Sequence, residues 1–487
     1  MKIAALLLSL PAISLAQQIA IGTYGLPVTG ANGIATGPDG ALWFTTTGGS
    51  PSIGRITTAG AVTTYALNCT CYPVGLTAGP DGALWFSSGG WVGRITTAGA
   101  ITEYPTKNGP ANGGITMGPD GALWFTESVG GFGIGRITTD GVVTEFPVSD
   151  LDGFPTGIAA GSDGALWFTE WSGNGIGRMT TSGAATYYTP PSAYAYTWGI
   201  AAGPDGALWF TESGGNANNI GRITTAGAIT EYPIPTADSG PLGITVGPDG
   251  ALWFAESRGG KIGRITTAGV ITEYPVPSGP KLPNSPSALT AGPDGELWFT
   301  DGGIGEAVFV NANLTADPPG GYYKSSIDFA GSGFAPGETV RIYTSGVGST
   351  VLASATSDST GSFSVTARAP QSAYGPRIFL GQGQGSGTLG AASFSMSPRL
   401  VLNPTSGAAG TKVTVEGDGF GAPETVEIYW NDPRTLLGMV ETDQYGTFSG
   451  KTALTFTVPA GAPAGKDAVF GQGYDTKAIG FGACTVQ

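Results

Sequence analysis

Seven times between residues 31 and 300 the chain repeats one pattern: a short apolar stretch, a Gly-Pro-Asp-Gly turn, then the unbroken apolar triplet Leu-Trp-Phe. The tryptophans fall at Trp43, Trp85, Trp124, Trp167, Trp209, Trp253 and Trp298, 39 to 45 residues apart. Only the fourth copy departs from the turn, with Ser162 in place of proline. In the fifth copy Trp198 to Gly203 reads as an inner strand and Ala207 to Glu212 as a second, joined by a turn at Pro204-Asp205-Gly206. Ile220 to Thr224 reads as a third strand and Ala228 to Tyr232 as a fourth. Pro and Asp preset such turns and Gly supplies the positive φ. Consecutive rather than alternating apolar residues in the second strand mean that both of its faces are covered. Four short strands per unit at this period, with no 3.6-residue apolar pattern, predict the blades of a β-propeller rather than helical repeats.

The third strand carries Gly-Arg-Ile-Thr-Thr in six copies, with Arg55, Arg94, Arg136, Arg178, Arg222 and Arg264, and Met179 replacing Ile once. The seventh copy has Glu306 where Arg belongs and no fourth strand after it. Ala20 to Pro27 aligns with the fourth strand at Ala228 to Pro235, so the N-terminal strand is expected to close the last blade. After Leu314 the repeat stops, and Asp317-Pro318-Pro319-Gly320-Gly321 reads as a linker. Two similar segments follow, Phe329 to Tyr343 and Val415 to Tyr429, matching again at Thr360 to Ser364 and Tyr445 to Ser449. Short alternating strands with Gly and Pro turns suit β-sandwiches, and the segments resemble immunoglobulin-like modules. The expected fold is therefore all-β: a seven-bladed β-propeller over residues 17–314, then immunoglobulin-like β-sandwich domains over 315–397 and 398–487.

Composition narrows the partners. Glycine, at 84 of 487 residues without a three-residue period, fits frequent tight turns and excludes collagen. Charged residues make up 11% of the chain, and 35 acidic against 21 basic leave a net charge of −14. That balance argues against nucleic acid, whose binding needs a basic stripe to displace counterions. Lys2, the apolar run Ile3 to Leu10, Pro11 and Ser14-Leu15-Ala16 predict a cleaved secretory signal over residues 1–16, hence a secreted, periplasmic or cell-surface protein. No later apolar stretch is long enough to span a membrane. Of the three cysteines, Cys69, Cys71 and Cys484, the first two either form a strained bridge or stay free, and the odd count leaves at least one thiol without an internal partner.

The chain contains no histidine, which removes histidine triads and proton shuttles and the commonest metal ligand. The repeat Gly-Ile-Thr-x-Gly-Pro-Asp-Gly-Ala-Leu-Trp-Phe-Thr-Glu, then Ile-Gly-Arg-Ile-Thr-Thr, then Ile-Thr-Glu-Tyr-Pro-x-Pro, resembles the virginiamycin B lyase family over roughly Ile19 to Leu314. The resemblance implies a propeller whose channel rim opens the cyclic depsipeptide streptogramin B by magnesium-assisted elimination. It also implies a tyrosine at the first rim position, where this chain has Asn32, and histidines at the sixth and seventh, where it has Leu242 and Ser287. The family's catalytic glutamate corresponds to Asp301, so of four groups only a carboxylate is kept. General acid or base catalysis is typically worth about 100- to 10,000-fold, so loss of both histidines should disable the elimination.

The remaining rim positions hold Val74, Gly113, Thr156 and Trp198, while Glu127, Glu170, Glu212 and Glu256 end four second strands near the same face. Carboxylates converging there, Asp301 and Glu256 above all, would suit Mg²⁺ or Ca²⁺. A glutamate that recurs with the repeat equally fits a hydrogen bond to a neighbouring loop or a pair with the repeated arginine. Trp91, Trp171, Tyr194, Tyr196 and Trp198 lie in or beside loops, where they would either stack on a ligand or pack the framework. The leading expectation is a monomeric, non-catalytic exported binding protein for a carbohydrate or cell-surface protein. The alternative is a Mg-dependent lyase acting on a streptogramin B-like cyclic peptide or a polysaccharide.

Overall fold

The computed structural model describes residues 18–487, except 25, 27–29, 59, 68–71, 108–112, 128–132, 149–152, 174, 215–216, 278–284, 345–349, 373–374, 422 and 444. Seven four-stranded antiparallel sheets form the blades, numbered one to seven from Ala31. Blade five shows the plan: Thr197–Ala202 innermost, then Leu208–Glu212, Asn219–Ile223 and Ile229–Pro233. Blade seven takes Leu289–Ala291, Leu297–Thr300 and Ile304–Val310 from its own repeat and Gln18–Tyr24 as its outermost strand. The closure expected from the alignment is thus present, with seven residue pairs from Gln18 opposite Val310 to Tyr24 opposite Ile304.

Each Leu-Trp-Phe triplet joins three blades. Side chains alternate across a strand, so Trp43 faces blade two, packing with Leu84, Phe86 and Ile95, while Leu42 and Phe44 face blade seven and meet Trp298. All seven tryptophans are fully buried. Space for the ring of Phe210 comes from Gly221 on the neighbouring strand, where a Cβ would collide with it. The repeated glycine in Gly-Arg-Ile is therefore a packing requirement.

In blades one to six the turn aspartate ties second strand to third. Asp205 Oδ1 accepts Trp209 Nε1 at 3.0 Å, and its Oδ2 accepts Arg222 Nε at 2.7 Å, with the guanidinium over the Trp209 ring at 5.8 Å. The repeated arginines thus pair with the turn aspartates and not with the strand-ending glutamates. In blade seven Glu306 stands opposite Trp298, and Trp298 Nε1 reaches both oxygens of Asp294 at 3.2 Å. Removing a charged acceptor from two donors costs about 2–3 kcal/mol. Asp205→Ala is expected to lower stability in urea unfolding by about that much, and Asp294→Ala by clearly less, since no arginine is left behind.

Two further sheets of eight strands each occupy the C-terminal part. The first runs from Ala312–Asp317 to Leu389–Met396, and the second from Arg399–Asn403 to Ile479–Val486. In each the first and last strands of the sheet order lie beside one another, so the sheet is rolled around one core. Phe329, Ile342 and Phe379 fill the first core, and Val415, Phe420 and Val469 the second. The expected linker lies inside the first module, because Ala312–Asp317 pairs with Ser326–Ser332 and Gly320–Gly321 pairs with Leu389–Met396. Cys484 is a buried free thiol in the second core. Cys69 and Cys71 lie outside the described residues.

Candidate functional site

The innermost strands enclose a central cavity of about 320 Å³. Seven equivalent triplets line it, beginning at Asn32, Val74, Gly113, Thr156, Trp198, Leu242 and Ser287. The rim positions inferred from the repeat are therefore all brought together. Among the described residues no lining side chain is ionisable. Ser287 Oγ lies 2.8 Å from Thr300 Oγ1, and Thr156 Oγ1 lies 3.0 Å from Thr169 Oγ1, so both hydroxyls are engaged by the framework.

A ring of hydroxyls holds the rim in place. The residue after Leu-Trp-Phe donates to the carbonyl of the next blade's rim residue: Thr169 to Trp198 at 2.5 Å, Thr211 to Leu242 at 2.7 Å, Thr300 to Asn32 at 2.6 Å. The same oxygen accepts an N–H on its own blade, as from Gly199 to Thr211 at 2.9 Å. Blade six has Ala255 here, and its contact to blade seven runs from Gly243 N to Ser287 O at 2.8 Å. These threonines are positioning residues that the sequence reading passed over, although a hydroxyl after the triplet in six of seven copies was a visible signal.

Trp198 lines the cavity and remains 38% exposed. Edge-on to it, at 6.4 Å and 88°, stands Trp171, itself 45% exposed. Trp171 also meets Tyr196 and Phe154, each at 6.2 Å. Three expected binding aromatics therefore form one cluster at the boundary of blades four and five, and Phe154 joins them from just before an inner strand. Tyr196 has φ of 44°, and its ring lies over Gly214, where a side chain would not fit. Trp91 is half-buried against the packing between blades one and two, and Tyr194 is exposed.

The expected convergence of carboxylates on the rim does not occur. Glu127, Glu170, Glu212, Glu256 and Asp301 are at most 1% exposed, and none lines the cavity. Glu127 shares a strand face with Leu123 and Phe125, which pack against blade two, so it points between blades rather than to the axis. Burial first, then repulsion from Glu145 on the outermost strand of its blade, pushes it up to about 8. Glu212 beside Glu231, and Glu256 beside Glu273, are likewise raised to about 8, mainly by burial. The Glu170 carboxylate lies against Gly173 and Gly175. Asp301 Oδ1 accepts Ser285 N at 2.6 Å, and burial raises its carboxyl above the ordinary value. Among the described residues no three Asp, Glu, Cys or His side chains come together to hold a metal. The described residues that line the cavity offer no carboxylate to Mg²⁺.

Comparison with known families places the propeller. The sequence profile of the virginiamycin B lyase family matches residues 13–113 and 106–314, more than half of the chain. The chain belongs to that family. It is similar to solved structures of virginiamycin B lyase from Staphylococcus aureus, at 38% identity over 60% of this chain and 100% of that one. The TM-score is 0.55 for a catalytically inactive histidine-to-alanine form solved with quinupristin, and 0.56 for a selenomethionine-substituted form. A streptogramin B lyase structure is 36% identical, covering 60% of this chain and 98% of its own, with a TM-score of 0.56. A search among curated proteins finds no match. The C-terminal modules lie beyond the family match.

Proposed function

We propose that this member of the virginiamycin B lyase family is a non-catalytic, exported recognition propeller that holds an uncharged carbohydrate against Trp198 and Trp171. One observation carries the reading: among the described residues that line the cavity collecting all seven rim positions, none has an ionisable side chain, and the largest is an exposed aromatic. A flat ring beside uncharged backbone and hydroxyl groups suits the apolar face of a sugar. The relative inactivated by replacing one histidine supports it, since this chain has none at all. Leu242 and Ser287 stand where the resemblance places the proton-transfer groups.

A glycan array probed with the mature chain tests this, paired with incubation with quinupristin and Mg²⁺ followed by chromatography and tandem mass spectrometry. The expected outcome is glycan retention that falls about 10- to 100-fold in Trp198→Ala, the loss typical of a central aromatic contact, with unchanged thermal unfolding. Ring opening of quinupristin above background would sink the non-catalytic reading. Equal retention by wild type and Trp198→Ala would remove the aromatic site.

A further inference from the structure

The two C-terminal modules present the same outer face to different surroundings. In the first, Tyr343, Leu380 and Ala391 stand in register on three adjacent strands. That row is covered: with Ile378 it packs on Val308, Ala20 and Val310 of blade seven. The face is therefore built to receive an apolar row from another β-sheet.

In the second module the corresponding row is Tyr429, Phe470 and Phe481, again in register. Leu380 has become Phe470 and Ala391 has become Phe481, so the row is larger. The rings lie 5.2 and 6.4 Å apart. Yet only Tyr429 of the row is buried: Phe470 is half-buried, Phe481 is 65% exposed, and Ile479, Met439 and Tyr474 are further exposed residues on the same side. A cluster of exposed apolar side chains on one face marks an association site rather than scattered surface residues.

Charge selects the occupant. Glu427 lies on the strand of Tyr429 toward one end of the row, opposite Gln472, while exposed Lys466 lies on the strand of Phe470 toward the other end. A two-fold axis in the plane of the face, crossing the strands beside Phe470, lays each Glu427 end over the Lys466 end of the second copy. The rings meet in the middle. The row is thus self-complementary, as an interface between identical surfaces must be.

We propose that the second C-terminal module is a homodimer interface, in which two copies of this chain pack face to face through Tyr429, Phe470 and Phe481. This reading departs from the monomer expected from the sequence and does not depend on what the propeller binds. Sedimentation velocity on the full mature chain from about 1 to 200 μM spans the range of a modest interface. Wild type is expected to form a concentration-dependent dimer. Phe481→Lys is expected to stay monomeric throughout with unchanged thermal unfolding, and Ile479→Lys serves if Phe481→Lys unfolds. Lys466→Glu is expected to weaken the dimer at least about 10-fold, and adding Glu427→Lys in the same chain to restore it, as coupled charges require. A wild type that remains monomeric at the highest concentration overturns the proposal. So does a dimer indifferent to both Phe481→Lys and Ile479→Lys.

Discussion

A chain lacking Gln18–Tyr24 is expected to lose the cooperative thermal unfolding of its propeller. These seven residues form the outermost strand of blade seven, and every one pairs with Ile304–Val310. At about 1 kcal/mol net per backbone hydrogen bond, plus about 2 kcal/mol for burying Ile21, the strand contributes on the order of 5–10 kcal/mol. That equals the whole stability of an ordinary domain. The loss is also not local. Ile21 packs in the cluster that holds Trp253 and Phe299 between blades six and seven, and Ala20 lies in the contact with the first C-terminal module. Calorimetry reads the result, and a peptide of the same seven residues added in trans should restore the transition in proportion to its concentration. An unchanged melting temperature after deletion would show that ring closure contributes nothing.

Stability is expected to peak in mild acid and to fall across neutrality. Glu127, Glu212, Glu256 and Glu296 are raised by burial to about 8, against an ordinary carboxyl value of 4.5. Between those values the unfolded chain has released protons that the folded chain still holds, so unfolding becomes easier as pH rises. The stabilisation from these four groups is complete below about 4.5 and is lost as pH climbs through about 8. The turn aspartates act in the opposite sense. Burial pushes Asp39 up, but its hydrogen bonds from Trp43 and Arg55 outweigh that and hold it below 3.8; Asp81, Asp120, Asp163 and Asp205 behave alike. Their contribution is present above that value and disappears as pH falls further. Melting temperatures measured from pH 3 to pH 9 should therefore rise to a maximum at about 4–5 and then decline. Glu127→Gln keeps the shape without the titrating proton and should reduce the alkaline slope by about a quarter. A profile flat from pH 5 to pH 9 would contradict the burial of these carboxyls.

The blades were legible because each repeat states its own turn, its doubly covered second strand and its Gly-Arg third strand. The borrowed closing strand was legible because Ala20 to Pro27 copies an outer strand and blade seven lacks one. The seven rim residues followed from the same alignment. The carboxylates did not, because spacing along a strand does not say which face a terminal residue takes. Glu127 and its counterparts sit one position beyond the residues that grip the next blade, and that single step turns them to the opposite strand face, toward the preceding blade. Nor could a sequence pattern place Ala312–Asp317 in the module after the propeller, since a strand's sheet is settled by its partners.

The outermost strand of blade seven imposes an order on biosynthesis. Its seven residues are made before the first blade, yet their partners Ile304–Val310 follow almost three hundred residues later. Until then the rising edge of blade one and the last blade made both stand open, each offering half of a wedge that only the other fills. A nascent chain must therefore keep this strand unpaired throughout synthesis of six blades. Chaperone dependence should follow the delay between these two segments rather than the length of the protein.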